Sequence, residues 1–121
     1  MKKILLAMCV LALSSGMAFA ACDGGAEIAI GEKNFCVSSI RGNWWSMQAW
    51  CQAHGMTMAS MYDVCPNWNG NDGGNIGCVG FLHGGEHWTS TVSGTNQVYT
   101  IWSNSNASIR NRSDNMFALC K

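Results

Sequence analysis

The chain has 121 residues, of which 48% are hydrophobic and 12% are charged, and its seven basic side chains balance seven acidic ones. This length suffices for one small domain. Because no basic cluster follows the first few positions, we expect neither nucleic acid nor an anionic membrane surface as partner. Seven cysteines and six tryptophans indicate a domain that offsets its small core with cross-links and large aromatic side chains.

The first twenty residues predict a cleaved signal peptide. Lys2 and Lys3 precede an apolar run over 4–13, and Ala18-Phe19-Ala20 has the small-x-small pattern of a cleavage site. The run is shorter than the roughly 20 residues that a membrane-spanning helix needs. We therefore expect a signal peptide at 1–20, followed by an exported domain at 21–121 that is periplasmic, at the cell surface or secreted.

Removal of the signal peptide changes the charge and the cysteine count. Five basic residues then face seven acidic ones, which gives a net charge of −2, and Cys9 is lost. An even number of cysteines in a short exported chain indicates a disulfide framework, for which six cysteines allow fifteen pairings. Lipidation of Cys22 is an alternative, because Phe19-Ala20-Ala21-Cys22 loosely resembles a lipobox. The remaining cysteines are Cys22, Cys36, Cys51, Cys65, Cys78 and Cys120.

The first predicted elements are a hairpin and a helix. Alternation over 26–30 and 35–37 around the turn at 31–34 is typical of a β-hairpin. Asn43 can cap a helix that runs to His54, and Gly55 is a typical stop. Apolar side chains recur there at helical spacing, and we expect them to face the core. They are Trp44, Met47, Cys51 and His54, and we assign Trp50 and Trp88 to the core as well.

The second half of the chain predicts short strands. A shorter helix is expected over 58–64, ended by Cys65-Pro66, and an irregular loop over 67–77. Alternating segments with polar turns between them then predict strands at 87–92, 97–102, 107–109 and 116–120. A hairpin, two helices, a loop and antiparallel strands together predict an α+β domain.

Several of these segments resemble C-type lectin-like domains. The run from Trp45 to Met56 is similar to the first helix of that family, in which a helical cysteine precedes Gly and an apolar residue. Its partner in the family lies at the chain end, here in Ala118-Leu119-Cys120. His87-Trp88-Thr89-Ser90-Thr91 and the end of the chain are similar to the carboxy-terminal domain of collagen-like bacterial adhesins. The resemblance covers nearly all of 21–121.

The resemblance implies a C-type lectin-like fold with an N-terminal hairpin, two helices and short antiparallel strands. It also implies pairing of Cys51 with Cys120, Cys22 with Cys36, and Cys65 with Cys78. For function it implies an exported, non-catalytic recognition module that binds a protein or glycan surface. A structural subunit of a surface appendage is an alternative, although no prepilin-like Gly-Phe-Thr-Leu start is present.

Calcium-dependent sugar binding is not expected. Lectins of this family carry Glu-Pro-Asn or Gln-Pro-Asp and Trp-Asn-Asp, and neither pattern occurs here. Pro66 is preceded by Cys65, and Asp72 is the only carboxylate of the loop, whereas calcium prefers several carboxylate oxygens. We therefore expect recognition without a metal cofactor.

Two polar sets are candidate ligand contacts. An indole beside amide groups suits a sugar ring and its hydroxyls, although the loop tryptophan can instead pack beneath its own loop. The second set lies near the end of the chain, where ordinary turns with solvated arginines are the alternative. The first set is Trp68, Asn69, Asn71 and Asp72, and the second is Trp102, Asn104, Arg110 and Arg112.

The run His83-Gly84-Gly85-Glu86-His87 matches the H-x-x-E-H string of zinc peptidases. That chemistry requires both histidines on one helical face. Gly84 and Gly85 would cost about 2 kcal/mol in a helix interior, and the following residues alternate like a strand. We therefore expect a turn into a strand, with His83, Glu86 and His87 as weak metal candidates of a small hydrolase.

Overall fold

The computed structural model describes residues 22–121, so the predicted signal peptide lies outside the part described. It is an α+β structure with one mixed sheet, two short helices and three disulfides, which confirms the predicted class. The strands are β1 (Gly25–Ile30), β2 (Lys33–Gly42), β3 (Glu86–Gly94), β4 (Gln97–Trp102), β5 (Ala107–Asn111) and β6 (Met116–Cys120), and the helices are α1 (Trp44–Ala53) and α2 (Met61–Val64).

The six strands lie in the order β1-β2-β6-β3-β4-β5. All neighbours are antiparallel except β3 and β6, which run parallel. The expectation of antiparallel strands alone is therefore wrong for this one pair. Period-2 alternation identifies a strand but does not encode its partner, so a pairing between distant segments is not readable from the pattern.

Helix α1 begins and ends where the sequence predicts. The Asn43 Oδ1 atom accepts a hydrogen bond from Ser46 N at 2.8 Å, and Gly55 follows with a φ of +75°. Trp44, Met47 and Cys51 are buried, as expected from their spacing.

Two side chains predicted to lie in the core are only half-buried. They are Trp50 and His54, whose rings stack on each other with centroids 4.0 Å apart. The Nδ1 atom of His54 also lies 2.8 Å from the Trp50 carbonyl oxygen. Trp50 packs against the buried helix-face cluster from its margin, and His54 stacks on the Trp50 ring.

Helix α2 is shorter than predicted. It begins at Met61 because Ser60 and Asp63 form a capping box, in which each side chain accepts a hydrogen bond from the other's backbone N–H. Met58 does not join the helix and instead forms a bridge with Cys120 of β6. The polar capping residues Ser60 and Asp63 therefore determine where the helix begins, although the apolar run starts earlier, at residue 58.

The sheet has two faces, which are covered differently. The helix face carries Trp88, Val98 and Ala118 and packs against α1. The loop face carries Ile101 and Leu119 and packs against α2 and the irregular segment at 65–85. Side chains directly opposite each other on neighbouring strands share a face, so the register assigns each strand residue to one of the two.

The three disulfides are those that the family resemblance implies. Cys22 pairs with Cys36, Cys51 with Cys120, and Cys65 with Cys78. The first ties the start of the described chain to β2, the second ties α1 to β6, and the third closes the base of the predicted loop. Cys36 and Cys120 are neighbours in the β2–β6 register, so two of the bonds lie side by side.

Residues 112–115 cross the helix face. β5 is an edge strand, whereas β6 lies between β2 and β3, so the chain between them passes β4 and β3. Arg112 N donates to the Asn96 carbonyl oxygen at 3.0 Å, and the Arg112 carbonyl oxygen accepts from Trp44 N at 2.9 Å. We call this stretch the crossover segment. No helix within residues 22–121 is long and apolar enough to cross a membrane.

Candidate binding site

The loop tryptophan is buried and therefore follows the second of the two interpretations given for it. Trp68 is only 7% exposed. Its ring packs edge-on against Tyr62 and Tyr99, with centroids 5.2 and 4.8 Å away, and its Nε1 atom donates to the Asn71 carbonyl oxygen at 2.8 Å. The indole thus anchors the loop from below and does not offer its ring plane to a ligand.

The other candidate residues of the loop are exposed, but the hydrogen bonds around them mostly hold the loop in place. The Asn69 side chain accepts a hydrogen bond from Asn71 N at 3.0 Å. Gly73 and Ala107 exchange two backbone hydrogen bonds of 2.7 and 2.9 Å, which fasten the loop to the start of β5. Asp72 is exposed next to this bridge. The loop is therefore a rigid polar rim on the loop-face side of the sheet.

Two candidates of the second set meet a third residue on the helix face. Glu86 begins β3 and lies directly opposite Trp102 of β4. Arg110 of β5 reaches across β4 to Glu86, where its Nε atom donates to Glu86 Oε2 at 2.7 Å. Glu86, Trp102 and Arg110 therefore form one cluster, although they come from three strands.

Burial makes the Glu86 carboxylate depend on its partners. Its side chain is 6% exposed, whereas that of Arg110 is 40% exposed. Glu86 Oε2 also accepts a hydrogen bond from Thr100 Oγ1, which lies beneath it on β4. A buried charge is tolerated when it is paired and hydrogen-bonded. Reciprocally, the hydrogen bond to Glu86 raises the pKa of Arg110.

The cluster keeps free hydrogen-bonding groups. Among residues 22–121, Glu86 Oε1 and the terminal amino groups of Arg110 have no hydrogen-bond partner, and none of these atoms is fully buried. The Trp102 Nε1 atom donates to Ser108 Oγ at 3.0 Å, which fixes the half-exposed indole beside them. An acceptor, two donors and an aromatic plane thus lie side by side.

Glu86 and Trp102 line a cavity of about 290 Å³ at the end of the sheet, and Arg110 is connected to it through Glu86. Several strands end here, together with the crossover segment. The Arg41 guanidinium lies 4.7 Å above the Phe117 ring at the margin of this cavity. The lining residues are Arg41, Gly85, Glu86, Trp102, Asn115 and Met116.

The remaining candidates of the second set lie apart from this cavity. Asn104 is exposed in the turn between β4 and β5, where its Oδ1 atom accepts from Asn106 N at 3.3 Å. Arg112 lies in the crossover segment, and its guanidinium carbon is 4.8 Å from the centre of the Trp44 ring. The second set is therefore divided between the cluster around Glu86, an exposed turn and the beginning of α1.

The H-x-x-E-H run forms a turn and the start of β3, and not a helix. Glu86 and His87 are consecutive in a strand, so their side chains point to opposite faces of the sheet. His83 Nδ1 lies 2.8 Å from His87 Nε2, and Glu86 lies on the other side with Arg110. Within residues 22–121 no three His, Cys, Asp or Glu side chains are grouped as metal ligands.

His87 is fully buried on the loop face. Desolvation, with a smaller effect of nearby His83, lowers the pKa of His87 to about 4, although the hydrogen bond to the Ile101 carbonyl oxygen opposes this. The Nδ1–H of a neutral ring donates to that carbonyl at 3.0 Å, which leaves Nε2 as the acceptor for His83 Nδ1–H. The pair fastens the turn before β3 to the sheet.

Sequence reasoning missed Arg41 and Thr100 as members of the site, whereas Asn115 lies in the polar stretch 108–115 that belongs to the second candidate set. Arg41 belongs to the first hairpin, and Asn115 lies some seventy residues later along the chain. Only the β2–β6 and β3–β6 pairings bring them together, and these pairings have no local signal. Alternation could have placed Thr100 on the same face of β4 as Trp102.

Comparison of the chain with protein-family models, with curated proteins and with solved structures finds no match.

Proposed function

We propose that the chain is an exported recognition module of the C-type lectin-like type, and that it binds a glycan without calcium. The pairing of Cys51 in α1 with Cys120 in β6 supports the family resemblance, because it connects the two segments that carry it. Three disulfides and the lack of a membrane-crossing helix in 22–121 are compatible with export.

The observation that carries the proposal is the cluster of Glu86, Arg110 and Trp102. Sugar recognition uses charged and polar groups that bond hydroxyls and an aromatic ring that stacks on the apolar face of the sugar. The cluster supplies both kinds of group, and Thr100 and Ser108 hold them in place. Such preorganisation lowers the entropic cost of binding.

Calcium is not needed for this arrangement. In a calcium-dependent site the ion bridges carboxylates and sugar hydroxyls. Here the Arg110 guanidinium already neutralises the Glu86 carboxylate. Its N–H groups, and not a metal ion, then bind the sugar hydroxyls. We therefore expect chelators to leave binding unchanged.

The proposal is tested with the disulfide-bonded exported protein on a glycan array, with and without a chelator, and by titration of any glycan that is retained. Trp102→Ala and Glu86→Gln should each weaken binding by about tenfold or more, since each removes a central contact. Leu82→Ser is the control, because Leu82 is 96% exposed and lies beside β1 at the opposite edge of the sheet.

Several outcomes would contradict the proposal. Correctly oxidised protein that retains no glycan would overturn it. Binding that survives Trp102→Ala and Glu86→Gln, or that a chelator abolishes, would overturn the assignment of the site. Retention of a protein in a pull-down, with a silent glycan array, would favour the alternative of a protein surface as partner.

A further inference from the structure

A second cluster of aromatic and cationic side chains lies at the beginning of α1. Trp44 is buried, and its ring meets that of Trp45 edge-on, with centroids 6.2 Å apart. The Trp45 side chain is 52% exposed and points outward. The Arg112 guanidinium carbon lies 4.8 Å from the centre of the Trp44 ring and 6.0 Å from that of Trp45. Arg112 thus lies against two indoles.

Arg112 has hydrogen bonds at its backbone but no anionic partner among residues 22–121. Its backbone N–H and carbonyl are both hydrogen-bonded, to Asn96 and Trp44 respectively. Its Nε atom is buried and has no hydrogen-bond partner, and the ion pairs within residues 22–121 involve Arg110 and Lys121 instead. The guanidinium is therefore positioned by cation–π contacts, and its charge is not compensated by a carboxylate.

The exposed side of this cluster opens into a cavity of about 310 Å³. Trp45 supplies an aromatic plane at its wall, and Arg112 supplies the positive charge. Two asparagines and a serine add amide and hydroxyl groups, which suit the hydroxyls of a sugar. The lining residues are Trp45, Asn96, Asn111, Arg112 and Ser113.

We propose that this cavity is a binding subsite for a sugar that carries a carboxylate. The planar guanidinium of Arg112 matches the geometry of a carboxylate, and the Trp45 ring stacks on the sugar. The amides distinguish a sugar from a bare inorganic anion, which would use only the arginine. This inference deepens the proposed function. It rests on that function because it takes the ligand to be a glycan.

The two sites lie toward opposite ends of β4, because Trp102 ends this strand and Asn96 precedes its first residue. Arg110 and Arg112 are two residues apart along the chain, roughly 7 Å in an extended strand. Arg110 lies opposite Val98 in the sheet register, and Arg112 follows at the end of β5. The two arginines are thus close along the chain, whereas the two cavities have no lining residue in common.

The test is an NMR titration of the disulfide-bonded protein, observed through the tryptophan indole N–H signals, with glucuronate, glucose and inorganic phosphate as separate probes. Glucuronate should shift the Trp45 signal and bind about tenfold or more tightly than glucose and phosphate. Arg112→Gln and Trp45→Ala should each weaken glucuronate binding by a similar factor. Arg112→Lys, which retains the charge but not the planar fork, should also weaken it.

Lys33→Gln is the matched charge control, because Lys33 is exposed at the β1–β2 turn and its removal changes the net charge by the same amount. It should leave glucuronate binding unchanged. Equal binding of phosphate and glucuronate, or binding that Lys33→Gln weakens as much as Arg112→Gln, would overturn the subsite. Trp102→Ala separates the two proposals, since it should abolish glycan retention but leave the glucuronate shift of Trp45 intact.

Discussion

Glu86 and Arg110 form one ion pair, but their two side chains are buried to very different extents. The Glu86 side chain is 6% exposed, whereas the Arg110 side chain is 40% exposed. Loss of either partner therefore has different consequences. The buried charge depends on its counter-ion, while the hydrated charge can return to water.

This difference in depth gives the first prediction. Arg110→Met should destabilise the fold by about 3 kcal/mol, because it leaves a buried carboxylate without its cation. Glu86→Gln should cost only about 1 to 2 kcal/mol, since the amide oxygen still accepts from Thr100 and Arg110 returns to solvent. Urea unfolding of both variants checks the order, and a larger loss for Glu86→Gln would contradict it.

His87 gives a prediction about pH. Its pKa is lowered from 6.5 to about 4 in the fold, so the unfolded chain binds a proton at a pH where the folded protein does not. The free energy of unfolding should therefore fall as the pH drops from about 6.5 to 4, by at most about 3 kcal/mol. His87→Gln, which can still donate to Ile101, should remove this slope in chemical denaturation series.

The control for this prediction is His54→Gln. His54 is half-buried beside Trp50 at the flank of α1. Its replacement should leave the slope between pH 6.5 and 4 in place. If both histidine variants kept the full slope, the loss of stability would have to arise from other groups.

Local chemistry made the elements largely predictable. The Asn43 cap and Gly55 define α1 within its own segment, and alternation with polar turns defines the hairpin and the later strands. Helix α2 begins three residues after the start that the apolar run predicts, because the Ser60 capping box determines its first turn. Pairing of β3 with β6 joins distant segments, so it left no local pattern.

The candidate site was predictable only in part, because its residues come from strands whose pairing leaves no local pattern. Trp102 and Arg110 stood out as residues with the right chemistry, and the structure brings them together. Glu86 was noted for a metal motif, but its role follows from strand geometry, which turns it away from His87. The inward position of Trp68 was one of two open interpretations, because a lone indole in a polar loop fits both.

The cap of α1 gives a prediction at the scale of one element. Asn43→Ala should destabilise the protein by about 1 kcal/mol, because Ser46 N loses its acceptor. Asn43→Asp should retain the cap. Urea midpoints of the two variants check this, and equal losses for both would indicate that the cap hydrogen bond is not the cause.

The disulfides give a prediction for the whole molecule. Replacement of Cys51 and Cys120 by Ala opens a loop with a sequence separation of 69, which by chain entropy should cost about 4 kcal/mol. Replacement of Cys65 and Cys78 opens a separation of only 13 and should cost about 3 kcal/mol. Thermal unfolding compares the two.

Limited proteolysis provides the complementary measurement. Removal of the Cys65–Cys78 bond should expose mainly residues 66–77 to cleavage, because the rest of the sheet keeps its pairing. Removal of the Cys51–Cys120 bond should expose the chain throughout. Cleavage confined to one loop in both variants would contradict the assignment of the second bond as a link between α1 and the sheet.

The place of β6 in the middle of the sheet has a consequence for a truncated chain. Residues 116–120 follow every other strand along the chain, yet β6 is the strand that pairs with both β2 and β3 in the sheet. A chain truncated before Met116 would lack this central strand, so β2 and β3 would each lose a pairing partner. The sheet is therefore completed only when residues 116–120 are present, so the fold depends on the strand that comes last of the six along the chain.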